Sequence, residues 1–375
     1  MKKITSVSRC FGAPIVAAAI FAALSLPSAL AAPALSTTFS TAPYAPDGLV
    51  AAPIGATLYA AADTGSPTFD SHFLAINTQF GTITANLPLE NFSVTPVVPS
   101  RGALQIAISK DGTLLFVLNN ISRTVDIVQQ ATNTQIGTFG FALVGPNPTG
   151  IRVSPNGKQL WVANAGTPPS FNNGTVQVIG IQVGVDFGTP IYLVNTGASP
   201  NEVVFNSKGS VAYVLNGLPT GFVDIVNAKT FKILANHVGF PNLNSPNPLS
   251  MDITKDNSTL YIGNGDTNVN NMDIPTGSID DTIFMFPGVP IAFQEIGQTL
   301  VSPDQKWVVT ADPDIASVSV ASAKTNTFSQ FVALPGGSIP YFMAFLGNTL
   351  YVSNFNNTIL APTGGNKSIS VITGF

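Results

Sequence analysis

The sequence predicts an all-β chain, a seven-bladed β-propeller of four-stranded antiparallel blades. Composition is the first observation behind this. Of 375 residues, 45% are hydrophobic and only 9% charged, so the chain lacks the Glu, Lys and Arg that clothe solvated helices. The second is a repeat. An apolar strand, a turn with Asp, Asn or Gly, and a second strand opening on an aromatic recur seven times. The aromatics stand 44 to 57 residues apart, near the spacing of propeller blades. The third is size: each unit is too small to bury its own faces and must stack on its neighbours.

The first element is not part of the repeat. Lys2, Lys3 and Arg9 precede an apolar stretch, Ile15 to Leu26, which runs into Pro27-Ser28-Ala29-Leu30-Ala31. A positive start, a short apolar core and an A-x-A site make a secretory signal peptide, with cleavage expected after Ala31. A spanning helix needs about 20 apolar residues, so no membrane span is expected. Residues 1–31 are therefore read as the signal peptide and 32–375 as one propeller domain, periplasmic or extracellular. Leu35 to Ser40 is β-prone and spare. Because the last repeat runs out after its third strand, this segment is expected to complete blade seven.

First strands carry a Pro, then two apolar residues two apart on one strand face: Pro148, Ile151, Val153; Pro200, Val203, Phe205; Pro248, Met251, Ile253; Pro340, Met343, Phe345. Blade one has a weaker copy at Pro46. Blades two and six keep only the pair, Ile106 with Ile108 and Thr299 with Val301. Hairpin signals such as Lys110-Asp111-Gly112 and Pro155-Asn156-Gly157 lead to the second strands. These are aligned on Tyr59, Phe116, Trp161, Tyr213, Tyr261, Trp307 and Tyr351. Asn follows three residues later in five of them (Asn119, Asn164, Asn216, Asn264 and Asn354), with Ala62 and Thr310 in the others. An Asn ending a strand bonds its own turn backbone readily, so these are read as structural caps rather than a ligand collar. Third strands alternate, as in Val125-Asp126-Ile127-Val128, and in blade five the third strand is placed at Ile283 to Phe286.

The run Asn147 to Asn164, NPTGIRVSPNGKQLWVAN, resembles the units of the YVTN-repeat β-propellers, within the wider WD40-like repeat class. The resemblance extends over nearly all of residues 32–375. It implies the propeller fold. Relatives of this kind include surface-layer-like proteins, lactonase-like propellers and electron-transfer subunits, so it implies no single activity.

Several function classes fall away. A sequence pI near 5.0 with 15 basic residues argues against a nucleic-acid partner. One Cys and two His exclude thiolate clusters and multi-His metal sites, and no C-x-x-C-H or G-x-S-x-G is present. His72 and His237 lie 165 residues apart and outside any metal motif, and are read as surface or partly buried side chains.

The loops between second and third strands are the decorated ones, and such loops on a rigid scaffold are where function tends to sit. The face that bears them holds the ligand-binding candidates Asp63, Asp312 and Asp314. Arg152, on an inner strand, is a candidate for an anionic ligand in the central channel, with a salt bridge to the next blade as the equal alternative. The longest loop is read as Gly265 to Asp281 in blade five. Asp266, Asp273, Asp280 and Asp281 fall there among Asn residues with no Lys or Arg, so they are the candidates for a cation site, with Ca²⁺ as the ion. A plain solvated loop is the preferred alternative, and no other cofactor is expected. The functional expectation is a non-catalytic binding or scaffold propeller with a protein, cell-surface or small-molecule partner. The alternative is a lactonase-like or metal-assisted hydrolase, with a quinone-cofactor dehydrogenase ranked last.

Overall fold

The most apolar run of each repeat lies inside a sheet, where both faces of the strand are covered. The second strand of blade two, Leu114–Asn119, is buried at every residue. In the computed structural model, which describes residues 32–65, 67–140, 142–168, 171, 173–218, 221–239, 248–265, 268–287, 296–355 and 367–375, such strands build seven four-stranded antiparallel blades. The signal-peptide reading of residues 1–31 lies outside the described residues.

Blade one comprises Ala45–Ala51, Thr57–Asp63, Ser71–Asn77 and Thr82–Pro88. Blade two comprises Ala103–Ile108, Leu114–Asn119, Thr124–Gln129 and Thr134–Phe139. Blade three is Pro148–Val153, Gln159–Asn164, Thr175–Gly180 and Pro190–Asn195. Blade four is Ala198–Phe205, Val211–Leu218, Phe222–Asn227 and Ile233–Gly239. Blade five is Pro248–Ile253, Thr259–Asn264, Asn268–Asp273 and Ser278–Phe284. Blade six is Thr299–Val301, Trp307–Asp312, Ser317–Ser322 and Thr327–Ala333. Blade seven is Ile339–Leu346, Thr349–Phe355 and Ser368–Thr373, with the N-terminal strand Ala34–Ser40 paired outside Ser368–Thr373.

The core is not one mass but seven layers, one between each pair of adjoining blades. Phe116 and Leu118 of blade two meet Ile151 and Val162 of blade three. Trp161 of blade three meets Phe205 and Val214 of blade four. The ring closes where Leu58 and Leu74 of blade one pack on Tyr351 and Ile369 of blade seven.

A repeated turn sets the hairpins between first and second strands. Ser109 Oγ donates to Asp111 Oδ1 at 2.6 Å, and the Leu114 amide donates back to Ser109 Oγ at 2.9 Å. Ser154 with Asn156, Thr254 with Asp256 and Ser302 with Asp304 repeat the hydroxyl contact. The next residue is left-handed in each of these four turns, and glycine supplies it at Gly112 and Gly157. Where Asn257 and Gln305 stand instead, their side chains bond a neighbouring blade, at the Ser207 and Lys255 amides.

Two alignments need correction. In blade six, Val301 pairs with Val308 as Val153 pairs with Leu160 in blade three. Trp307 is therefore not the strand aromatic of its repeat, and the position of Asn164 is taken by Asp312 rather than Thr310. The turn after Ser302 has the same length as that after Ser154; Trp307, in the place of Gln159, offered an aromatic two residues early and shifted the apparent register by two. In blade five, the expected loop Gly265 to Asp281 is mostly sheet. Asn268–Asp273 is the third strand, paired on both sides, and Ile283 belongs to the fourth. Its Asn residues hid the strand pattern, yet Asn270 is buried and its side-chain oxygen accepts from Thr282 Oγ1 at 3.1 Å. A small ribbon of Glu90–Asn91 and Val98–Pro99, between blades one and two, had no sequence signal.

Candidate functional site

The first strands of the blades surround the axis, and the residue two after the Pro position faces the next blade. In blade four that residue is Glu202, whose Oε2 accepts the Met251 amide of blade five at 2.8 Å. Gln105 of blade two accepts the Ile151 amide of blade three at 3.2 Å, and Gln298 of blade six accepts the Met343 amide of blade seven at 2.6 Å. Ser250 of blade five accepts the Thr299 amide of blade six at 2.8 Å. Blades one and three have Gly48 and Gly150 at this position, with the next blade's backbone pressed against them. One polar side chain or one glycine thus registers most blades against their neighbours.

Arg152 lies two residues further along blade three. Its Nη2 donates to Glu202 Oε1 at 3.0 Å and its Nε to the Val203 carbonyl at 3.1 Å. It therefore does both things the sequence left open: it pairs with the next blade and it lines the channel, with its side chain 40% exposed. Burial pushes the Glu202 carboxyl up to about 7 despite the guanidinium beside it. Asp252, one blade on, is raised by burial too, and its Oδ2 accepts the Val301 amide at 2.9 Å.

Two chambers of about 160 Å³ each lie along the axis. Gln105, Glu202, Gln298 and Phe342 line both and form the collar between them. Arg152 lines the chamber toward the tight hairpins. Leu104, Leu249 and Tyr341, with Thr149 and Asn201, line the one toward the loop-bearing face. Because Gln105 and Gln298 use their oxygens as acceptors, their Nε2 groups are left as donors, and neither has a hydrogen-bond partner among the described residues.

The other candidates do not converge on this site. Asp312 is fully buried, where Thr310, Ser317 and Ser319 hydroxyls donate to it at 2.9, 3.1 and 2.6 Å, and burial raises it to about 7. It replaces the Asn of the other blades and has no free surface to offer. Asp314 sits in the short 3-10 turn Pro313–Ile315 beyond it. Asp63 is buried in blade one, accepts the Gly65 amide at 2.7 Å and is raised by burial. Its neighbour Asp47 is raised well above the usual range by burial and by the Asp63 charge.

In blade five, Asp273 closes its own hairpin by accepting from the Thr276 amide and hydroxyl at 2.9 and 2.5 Å. Asp280 and Asp281 are adjacent and exposed on the outer strand, where the pairing register shifts at Asp280. Asp280 accepts from Ser278 Oγ at 2.7 Å and Asp281 from the Thr282 amide at 2.8 Å, so each is engaged by its own strand. Asp266 lies outside the described residues. No group of three or more His, Cys, Asp or Glu placed to hold a metal exists among the described residues.

The Asn positions cap more than their own turns. Asn119 and Asn216 Nδ2 donate to third-strand carboxylates, Asp126 at 2.8 Å and Asp224 at 3.1 Å. Thr138 and Gln135 also donate to Asp126, whose carboxyl burial raises to about 6. His72 is largely buried. Its Nδ1 donates to Asn86 Oδ1 at 2.8 Å, and burial lowers its pKa. Gln105, Glu202 and Gln298 are the residues sequence reasoning passed over. The available signal was a polar residue inside an apolar first strand.

No family model matches the chain, and no curated protein matches it. A solved structure of the Kuenenia stuttgartiensis hydrazine synthase is similar, with a TM-score of 0.68 and 16% identity over 90% of this chain and 98% of that chain. At that identity the likeness carries the propeller fold alone.

Proposed function

We propose that this chain is an exported, extracytoplasmic propeller that acts as a non-catalytic binding protein, taking a ligand at the axis where it opens among the loops. The observation that carries this reading is the axial collar. Both Glu202 oxygens are engaged, by Arg152 and by the Met251 amide, while the Gln105 and Gln298 amide groups keep donors for a guest. With both Glu202 oxygens partnered and amide donors left at the collar, the arrangement favours recognition of a guest's acceptor oxygens. The YVTN-like units and the pattern of Lys2 to Ala31 support export.

Two measurements test it. Intact mass of the secreted protein should begin at Ala32; a product retaining Met1 would overturn export. A lactone and ester panel, with and without EDTA, should give no turnover, while a thermal-shift screen of small polar solutes should give stabilising hits. Turnover lost with EDTA would move the assignment to the hydrolase reading.

A further inference from the structure

The collar has a donor surplus and one cation, and this specifies what fits it. Gln105 Nε2 and Gln298 Nε2 approach from blades two and six, on opposing sides of the ring. From blade three, Arg152 has spent Nε and Nη2 on Val203 and Glu202, and its Nη1 has no partner among the described residues. A guest meets three N–H groups and no free carboxylate, so it must supply acceptor oxygens. The loop-side chamber adds apolar wall from Leu104, Leu249 and Tyr341, which suits a short carbon chain behind the oxygens. A cavity of about 150 Å³ holds a benzene-sized molecule, so each chamber has room for about six heavy atoms.

Charge then decides between a neutral guest and an acid. The charged groups facing Glu202 from the adjoining strands are Arg152 of blade three and Asp252 of blade five. Arg152 is already balanced by Glu202, so a bare anion would leave excess negative charge in a buried site. The excess disappears when one proton enters with the anion, and Glu202 is the group poised to take it, since burial already holds its carboxyl near 7. Arg152 is then released from Glu202 to face the guest.

Resting on the binding reading above, we propose that the axial collar binds a short-chain monocarboxylic acid as its anion plus one proton. The carboxylate lies against Arg152, Gln105 Nε2 and Gln298 Nε2, and the proton resides on Glu202. No bond other than O–H is made or broken.

The test is calorimetric titration of the chain of residues 32–375 with sodium propionate and with its neutral isostere propionamide, at pH 6, 7, 8 and 9. Propionate should bind saturably. Its affinity should fall toward about tenfold per pH unit once Glu202 is ionised in the free protein, the limit for one linked proton. Buffers of differing ionisation enthalpy should report that proton's uptake. Gln105→Glu keeps an acceptor for the Ile151 amide but replaces the donor with a carboxylate. It should abolish propionate binding while leaving the pH 6 melting temperature within a few degrees of the parent. Gln298→Glu is the second variant should the first fail to fold. Propionamide binding as tightly as propionate, without pH dependence, would overturn the acid but keep the axial binding site. Propionate binding that survives both variants would overturn the collar. No heat with either solute, together with no hit in the wider solute screen, would remove both this inference and the binding reading.

Discussion

At the scale of single residues, the ring is set by positions where one atom more or less matters. A Cβ added at Gly150 would lie 2.5 Å from the Asn201 carbonyl oxygen, on the backbone of the next blade. Backbone cannot step aside as a side chain can, so blades three and four would be forced apart. Gly150→Ala should therefore cost about 1–3 kcal/mol of stability, as overpacking does. Denaturant melts would measure it, with Gly336→Ala as the control, since a Cβ there meets nothing within 4 Å. Asp312 invites the opposite experiment. It occupies a position held by Asn in five other blades and is held neutral-leaning by burial, with three hydroxyl donors around it. In Asp312→Asn the amide oxygen can still accept while one ionisation disappears. The variant should melt at or above the parent at pH 8 and show a flatter pH profile. A steep drop in melting temperature at pH 8 would mean that the charge itself is required.

At the scale of elements, the N-terminal strand bears on the closure of the ring. Ala34–Ser40 pairs along Ser368–Thr373, Phe39 packs beside Tyr351, and Gln330 Nε2 donates to the Pro33 carbonyl. Deleting residues 32–42 would leave the third strand of blade seven as an unpaired, apolar edge. Such an edge recruits other chains. The truncated protein should melt several degrees lower and form oligomers on size-exclusion chromatography; an unchanged melt and a monomer peak would refute this. Most elements were legible because alternation and turn residues agreed, as in Ile151 to Leu160. Blade five was not, because its buried third strand is written in Asn, whose side chains bond inside the sheet rather than in a loop. Blade six was not, because Trp307 stands two residues ahead of the repeat's aromatic position. The axial site was half legible. Arg152 stood out as one of few Arg, whereas Gln105, Glu202 and Gln298 come one per blade. Only the closed ring brings them together.

At the scale of the whole molecule, seven thin sheets share their cores pairwise, so stability is a property of the closed ring. The carboxylates buried in that ring should govern how it responds to pH. Glu202 and Asp312 are raised to about 7 and Asp126 to about 6, and Asp47, Asp63 and Asp252 are raised as well, all chiefly by burial. A carboxyl whose pKa is higher folded than unfolded holds its proton more tightly in the folded state. Its contribution is therefore fully present below the unfolded value, near 4, and is lost as pH rises through the folded value. The melting temperature should fall between about pH 4 and pH 7 and level off above that. Two features oppose this. Lowering of His72 by burial favours the folded state at high pH, but it is a single group against six. The turn carboxylates Asp111, Asp256 and Asp304 are lowered, mainly by hydroxyl and amide donors in the first two and on balance in Asp304, where burial opposes; they weaken the fold only below about pH 4, and being nearly exposed they weigh little. The maximum should thus lie near pH 4 to 5. A scanning-calorimetry series from pH 3 to 9 decides it, and a melting temperature that rises steadily from pH 5 to 8 would mean that the buried carboxyls are ionised at little cost.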